Sequence, residues 1–200
     1  MDKSETEILI LKAASDVFQE KGLSGARTDE IAQRAGVNKA LLHYYFRSKE
    51  GLFQEVFVEA FGQFFQKMMS LLASDHPLDV KIYKAVDMYS NMLLHNKDLP
   101  LFIMGAIRDN PSLIAEIIKG HQGKAFSKLS DQLEEAHEKG FIKKISVHEF
   151  FMNLASLVIF PFIARPLVKE MFDLEEDSFD KMILDRRKKL PGMLIEMLRP

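Results

Sequence analysis

Apolar side chains return every three or four positions from Ile10 onward, through Ala14, Val17 and Phe18. This predicts a first amphipathic helix over residues 4–21, stopped by Gly22, a residue that tolerates a left-handed backbone. A second, shorter pattern follows. Thr28 is read as its N-cap, Asp29 and Glu30 place negative charge in its first turn, and Ile31, Ala32 and Ala35 form its buried side. Gly36 then supplies a sharp turn, with Val37 filling the angle, and a third helix is predicted over 38–46. At 100° per residue its Leu42, Tyr45 and Phe46 face a core, whereas Lys39, Ala40, His43 and Tyr44 fall on the opposite side. Ser48 is read as the N-cap of a long helix over 49 to about 73, with Leu52, Val56, Phe61, Phe64, Phe65 and Met68 apolar along it.

Asp75-His76-Pro77 ends that helix, and further helices are predicted at about 78–95, 99–108, 111–138, 146–171 and 177–198. Gly140 followed by Phe141-Ile142 reads as a glycine C-cap with a hydrophobic latch, and Pro161 is expected to kink the helix around it. No strand-like alternation or repeat interrupts the helical pattern. The fold class is therefore all-α. An N-terminal three-helix unit with a helix-turn-helix, residues 1–48, is joined by a long helix to a C-terminal helical domain, residues 49–200.

Composition narrows the chemistry. The chain has 200 residues, 47% of them hydrophobic, which exceeds what a three-helix unit alone needs for a core. A formal net charge of −2 excludes binding to nucleic acid by bulk charge. Between residues 27 and 49, however, Arg27, Arg34, Lys39, Arg47 and Lys49 outnumber Asp29 and Glu30, so positive charge is local to the turn and its helices. Cysteine is absent, which removes disulfides, thiolate metal sites and a cysteine nucleophile. Six histidines show no metal-ligand spacing, and no motif joins Ser, His and Asp into a nucleophile, so no catalytic residue, no metal site and no cofactor is expected. The start is polar and acidic rather than signal-like, and the apolar run over 154–164 is too short to span a bilayer; no membrane partner and a cytoplasmic location are expected. The basic run at 186–189 reads as the solvated face of the last helix.

The exposed side of the third helix carries groups suited to a DNA groove. Lys39 can reach a phosphate or a guanine edge, Ala40 lets the helix backbone approach, and His43 and Tyr44 can hydrogen-bond or stack at base edges. Lys49, at the N-terminus of the next helix, would add an ammonium to backbone amides and a dipole that favour the same phosphate. The stretches at 10–18, 28–37 and 42–53 resemble the N-terminal domain of the TetR/AcrR (tetracycline-repressor) family of bacterial regulators, continuously and at the family's spacing. Family members often have Thr, Tyr and His where this chain has Leu41, His43 and Tyr44, so the hydroxyl at the first position is lost and the aromatic order is reversed.

The resemblance implies a transcriptional regulator whose DNA contacts come from Thr28, Asn38, Lys39, Ala40, His43, Tyr44 and Lys49. It also implies a cavity in the C-terminal domain for a small apolar or amphipathic effector. Candidate lining residues are Tyr89, Met92, Phe102, Ile103, Phe126 and Phe160, with Asn153 and Ser156 as polar groups to orient the ligand. The expected form is a homodimer that reads an inverted repeat in double-stranded DNA and leaves it when the effector binds. Its interface is expected on the last two helices at Leu154, Val158, Met182, Leu190 and Leu194. The alternative is a helical ligand-binding or interaction protein whose N-terminal unit no longer reads DNA.

Overall fold

The computed structural model describes residues 4–97, 99–109, 111–112, 115–116 and 123–200. Its ordered elements are helices: α1 (Glu5–Gly25), α2 (Thr28–Arg34), α3 (Lys39–Tyr45), α4 (Lys49–Phe57), a π-helical turn (Val58–Gly62), α5 (Gln63–Leu72), α6 (Leu78–His95), α7 (Leu99–Asp109), α8 (Gly123–Glu138), α9 (Val147–Ile163), α10 (Arg165–Phe172) and α11 (Glu176–Leu198). The N-terminal part of the helix expected over 111–138 lies largely outside the described residues.

Two compact units emerge, one within Met1–Gln63 and Leu101–Ile118, the other within Phe64–Pro100 and Lys119–Pro200. The division expected at 48/49 falls inside the first unit, because α4 carries Phe53 and Phe57 into the same core as Phe18 of α1. Phe18 meets Phe53 edge to face at 5.1 Å, and all three rings are almost fully buried. Phe102 of α7 joins them, 5.4 Å from Phe53 and 6.1 Å from Phe57.

Local chemistry accounts for the ends of these helices. Ser4 caps α1 by accepting from the Glu7 N–H at 3.2 Å. Gly22 leaves helical geometry at φ 68°, so regular helix ends where the sequence places its stop, although a last turn continues to Gly25. The α2–α3 turn depends on a second glycine. Gly36 has φ 70°, and the following Val37 N–H reaches back to the Ala32 carbonyl at 3.0 Å, the closing bond of a Schellman cap. Gly140 repeats that geometry after α8, with Phe141 N–H on the Ala136 carbonyl at 2.9 Å. There Ile142 is buried as the latch while Phe141 stays in solvent.

In the second unit α6 lies against α9 and α11, and α9 also packs on α8. Leu154, Val158, Leu190 and Leu194 are buried in this core, which corrects their reading as interface residues: the apolar stripes that define α9 and α11 are already used within the chain. Pro161 stands within α9, close to its C-terminal end. The helix continues to Ile163, and the chain bends by 61° into α10. Proline removes the amide that would have bonded to the Leu157 carbonyl, and Arg186 of α11 donates to that carbonyl instead, at 3.1 Å. Arg187 pairs with Asp87 and donates to Asn91 of α6 at 2.6 Å. Half of the basic run at 186–189 is thus tied inward, and only Lys188 and Lys189 form the solvated face.

A Cβ at Gly36 would meet no atom within 4 Å, so glycine is needed there for its backbone angle and not for space. Gly36→Ala is expected to cost about 1–2 kcal/mol, the penalty of a left-handed Cβ-bearing residue. Denaturant unfolding followed by circular dichroism checks this. An unchanged midpoint would mean that the turn is not held in the left-handed region.

Candidate DNA-binding face

The third helix is seven residues long and is fixed at its start by Asn38, whose Oδ1 accepts from the Leu41 N–H at 2.8 Å. Asn38 is therefore the cap of α3 rather than its first residue. Thr28 differs from expectation in the opposite sense. Arg27 holds the N-cap position of α2 in an extended conformation with no side-chain cap, and the Ile31 N–H already bonds to the Arg27 carbonyl at 3.2 Å. The helix begins one residue early, and the half-buried Thr28 has no capping bond to make.

Burial divides α3 as its periodicity predicts. Leu42 and Phe46 are buried, while Lys39, Ala40, His43 and Tyr44 are exposed, Tyr44 at 79% of its possible surface. Tyr45 lies between the two sides. Its hydroxyl accepts from Ser4 Oγ at 3.1 Å, and its ring meets Tyr44 edge-on at 5.4 Å, which gives Tyr44 a wall on one side only.

The cations around this face are not equivalent. Arg34 is committed to Glu20, at 2.6 Å, and Glu30, at 2.7 Å, and Lys21 also pairs with Glu30. Its hydrogen bonds to Glu20 and then Glu30 raise the Arg34 pKa above the ordinary arginine value. Those to Arg34 and Lys21 lower the carboxyls. Arg34 is thus a brace between α1 and α2, and the local excess of positive charge rests on the other residues. Lys39 pairs with Asp29 at 2.8 Å, both side chains standing in water. Lys49 donates to the buried Ala26 carbonyl at 3.3 Å, while Ser48 caps its helix by accepting from the Gly51 N–H at 3.0 Å. Arg27 and Arg47 are exposed and take no ion pair among the described residues. Sequence reasoning counted these two as charge without placing them at the site; their positions next to the starts of α2 and α4 were the available signal.

The residues read as ligand-lining do not converge in the same way. Phe102 belongs to the core of the first unit, against Phe53 and Phe57, and α7 carries Ile103 beside it. Tyr89 is buried in the second unit against Phe64, ring centroids 4.6 Å apart, and burial pushes its phenol up to about 12. Phe126 meets Phe151 edge to face at 5.6 Å. Phe160 is largely exposed and lines an open groove with Met182 and Met193, Asn153 lines a small pocket with Phe150 and Leu194, Met92 is half-buried and Ser156 is exposed. Aromatic periodicity cannot distinguish a cavity wall from a core, and Tyr89 and Phe102 are core.

A helix held by its inner face against a three-helix core, with lysine, histidine and tyrosine outward after a glycine turn, matches the geometry of a helix-turn-helix reader. Residues 10–56 match the family described as bacterial regulatory proteins, tetR family. The chain belongs to the TetR family. A probable HTH-type transcriptional regulator of Bacillus subtilis (strain 168), YttP, is 25% identical over 93% of this chain and 92% of its own length. The fatty acid metabolism regulator protein of the same organism is 26% identical over 68% of this chain and 70% of its own. Among solved structures, the regulator FadR from Bacillus subtilis in complex with stearoyl-CoA shares the fold, with a TM-score of 0.69 and 21% identity over 96% of this chain and 99% of that one. This TetR-family chain is a DNA-binding transcriptional regulator.

The Lys39–Asp29 pair implies a measurable competition, since a carboxylate beside this exposed lysine would oppose phosphate. Asp29→Asn is expected to tighten DNA binding about two- to fivefold at low salt, with the gain shrinking as salt rises. Fluorescence anisotropy on a fixed duplex at several salt concentrations checks it; equal or weaker affinity would show that the pair does not oppose DNA.

Proposed function

We propose that the chain is a homodimeric repressor that reads an inverted repeat through α3 and releases it when an apolar or amphipathic molecule binds the second unit. The observation that carries the DNA contact is the division of α3 itself: Lys39, Ala40, His43 and Tyr44 exposed together, with Leu42 and Phe46 buried behind them. In this reading His43 and Tyr44 select base edges and Lys39 reaches phosphate or guanine. Arg27, Thr28, Arg47 and Lys49 fix the register on phosphate, and Asn38 adds only its NH2 group because its oxygen is used in the cap. By role, residues 1–48 are the reader and 49–200 the ligand-binding and dimerisation part. In this reading the protein acts in the cytoplasm, where the DNA it would read is held.

Dimerisation is supported by apolar side chains that the fold leaves outward on α9 and α11. Met152 and Phe160, at 68% and 63% exposure, follow one face of α9, and Met193 and Met197 stand on α11. One recognition helix covers few base pairs, so a two-fold pair of such faces also supplies the second half-site. For the effector, support comes from the stearoyl-CoA complex of a regulator with this fold and from the likeness to a fatty acid metabolism regulator. A molecule with a long hydrocarbon chain is the favoured class. Linkage then requires that a molecule which weakens DNA binding bind less tightly to the DNA complex, by the same factor.

Binding measured on a panel of duplexes tests the assignment. Arg47→Ala and Lys49→Ala are expected to weaken all duplexes alike and to reduce the salt slope by about one each. His43→Ala and Tyr44→Ala are expected to reorder the panel. Sedimentation at micromolar concentration is expected to show a dimer that Phe160→Glu dissociates. Unchanged affinity and order in all four DNA variants, or a monomeric parent protein, would contradict the reading.

A further inference from the structure

The second unit contains a cavity that neither the recognition face nor the outward apolar stripe uses. It has a volume of about 540 Å³ and lies between the N-terminal turn of α6, the C-terminal half of α8 and the end of α11. Leu78, Ile82, Ala136, Ile142 and Leu198 give it an apolar wall, and Phe141, at 68% exposure, stands in solvent at its edge. Its four charged lining residues cancel: Asp79 and Glu135 against Lys139 and Arg199, with Lys139 already paired to Glu135 and Arg199 to Glu196. A pocket of this size with a hydrocarbon wall and a balanced rim suits an uncharged, mainly hydrocarbon molecule with one hydrogen-bonding group.

Gln132 connects this wall to an unusual buried charge. Its Oε1 accepts from Lys81 at 2.6 Å, and its Nε2 donates to the His76 carbonyl at 2.9 Å. Lys81 is 1% exposed and takes no ion pair among the described residues. Its other bond goes to the carbonyl of Leu72, the last residue of α5, at 2.6 Å. A buried ammonium held by two neutral oxygens depends on both of them, because losing one leaves a buried charge with a single neutral acceptor. Displacing Gln132 therefore loosens the hold on the end of α5. Along the chain, α5 is the continuation of α4 through the π turn at 58–62.

We propose that this cavity binds an uncharged amphiphile and that Gln132 and Lys81 relay its occupancy to the C-terminal end of α5. The proposal rests on the reading of the chain as a ligand-responsive regulator, and it deepens that reading by assigning the site and the relay. The hydrocarbon part fills the space between Ile82, Ala136 and Leu198, Phe141 folds over it, and the polar group competes for the Gln132 carboxamide. The two ends of the relay, a hydrocarbon wall and a helix terminus, are thus joined by a bond that the ligand can break.

The test uses the full chain, 1-decanol and decanoate as probes, and a duplex selected from a random-sequence library by the protein itself. Calorimetry is expected to show 1-decanol binding at one site per chain and decanoate at least tenfold more weakly. Ala136→Trp, which fills the cavity from a half-buried position, is expected to abolish 1-decanol binding. Saturating 1-decanol is expected to lower DNA affinity about tenfold. Lys81→Met, which replaces the buried charge by an apolar chain of similar length, is expected to keep 1-decanol binding within threefold while removing its effect on DNA. Failure of 1-decanol to bind, or binding that Ala136→Trp does not alter, overturns the site. Transmission that survives Lys81→Met overturns the relay. If stearoyl-CoA releases the duplex from Ala136→Trp as from the parent, the regulator reading stands and this cavity is not its effector site. If no duplex is selected at all, the regulator reading fails while calorimetry still decides the site.

Discussion

A helix of seven residues does not hold its shape in water, because the entropy of its first turn is not repaid by the few hydrogen bonds that follow. The recognition helix therefore exists only by being held. Burying Leu42 and Phe46 contributes about 1.5–3 kcal/mol each, and the Asn38 cap adds about 1 kcal/mol. Those terms are available only because Phe18, Phe53, Phe57 and Phe102 first fix the core of the unit to which α3 belongs. Everything proposed for the outward side chains depends on this inner packing, since their aim is set by a backbone that packing keeps helical.

The charges around α3 show how a chain with net charge −2 presents a local cationic face. Some cations are withdrawn and others are left. Arg34 and Lys21 are neutralised by Glu20 and Glu30 in the brace between α1 and α2, whereas Arg27 and Arg47 remain free among the described residues. Lys39 is intermediate: an exposed pair with Asp29 is worth little in water, and its exchange for a phosphate would cost little. In the proposed reading, affinity built this way is salt-dependent, and selection falls to His43 and Tyr44 at base edges.

Much of this was legible in the sequence where spacing and caps carry the signal. The order of helices, the glycine turn at Gly36, the caps Ser48 and Gly140 and the two sides of α3 all follow from periodicity and backbone preference. The placement of Thr28 one residue inside α2 was not, because several residues at a helix start satisfy the same amides and tertiary context chooses among them. Nor were the partners of the cations. That Arg34 turns to Glu20, fourteen positions away, and Arg186 to the carbonyl that Pro161 releases, follows from packing rather than from local spacing. Phe102 and Tyr89 were read as cavity residues because an apolar cavity and an apolar core ask for the same side chains; only their neighbours Phe53 and Phe64 separate the two.

The central claim is that this chain selects DNA sequence with the outer side of α3. Selection of duplexes from a random-sequence library, followed by sequencing, measures it directly when the parent protein is compared with a His43→Ala/Tyr44→Ala variant of unchanged thermal stability. The parent is expected to enrich one inverted repeat, and the variant to retain DNA without that motif or with altered positions in both half-sites. Recovery of the same motif at the same enrichment by both proteins would contradict the account.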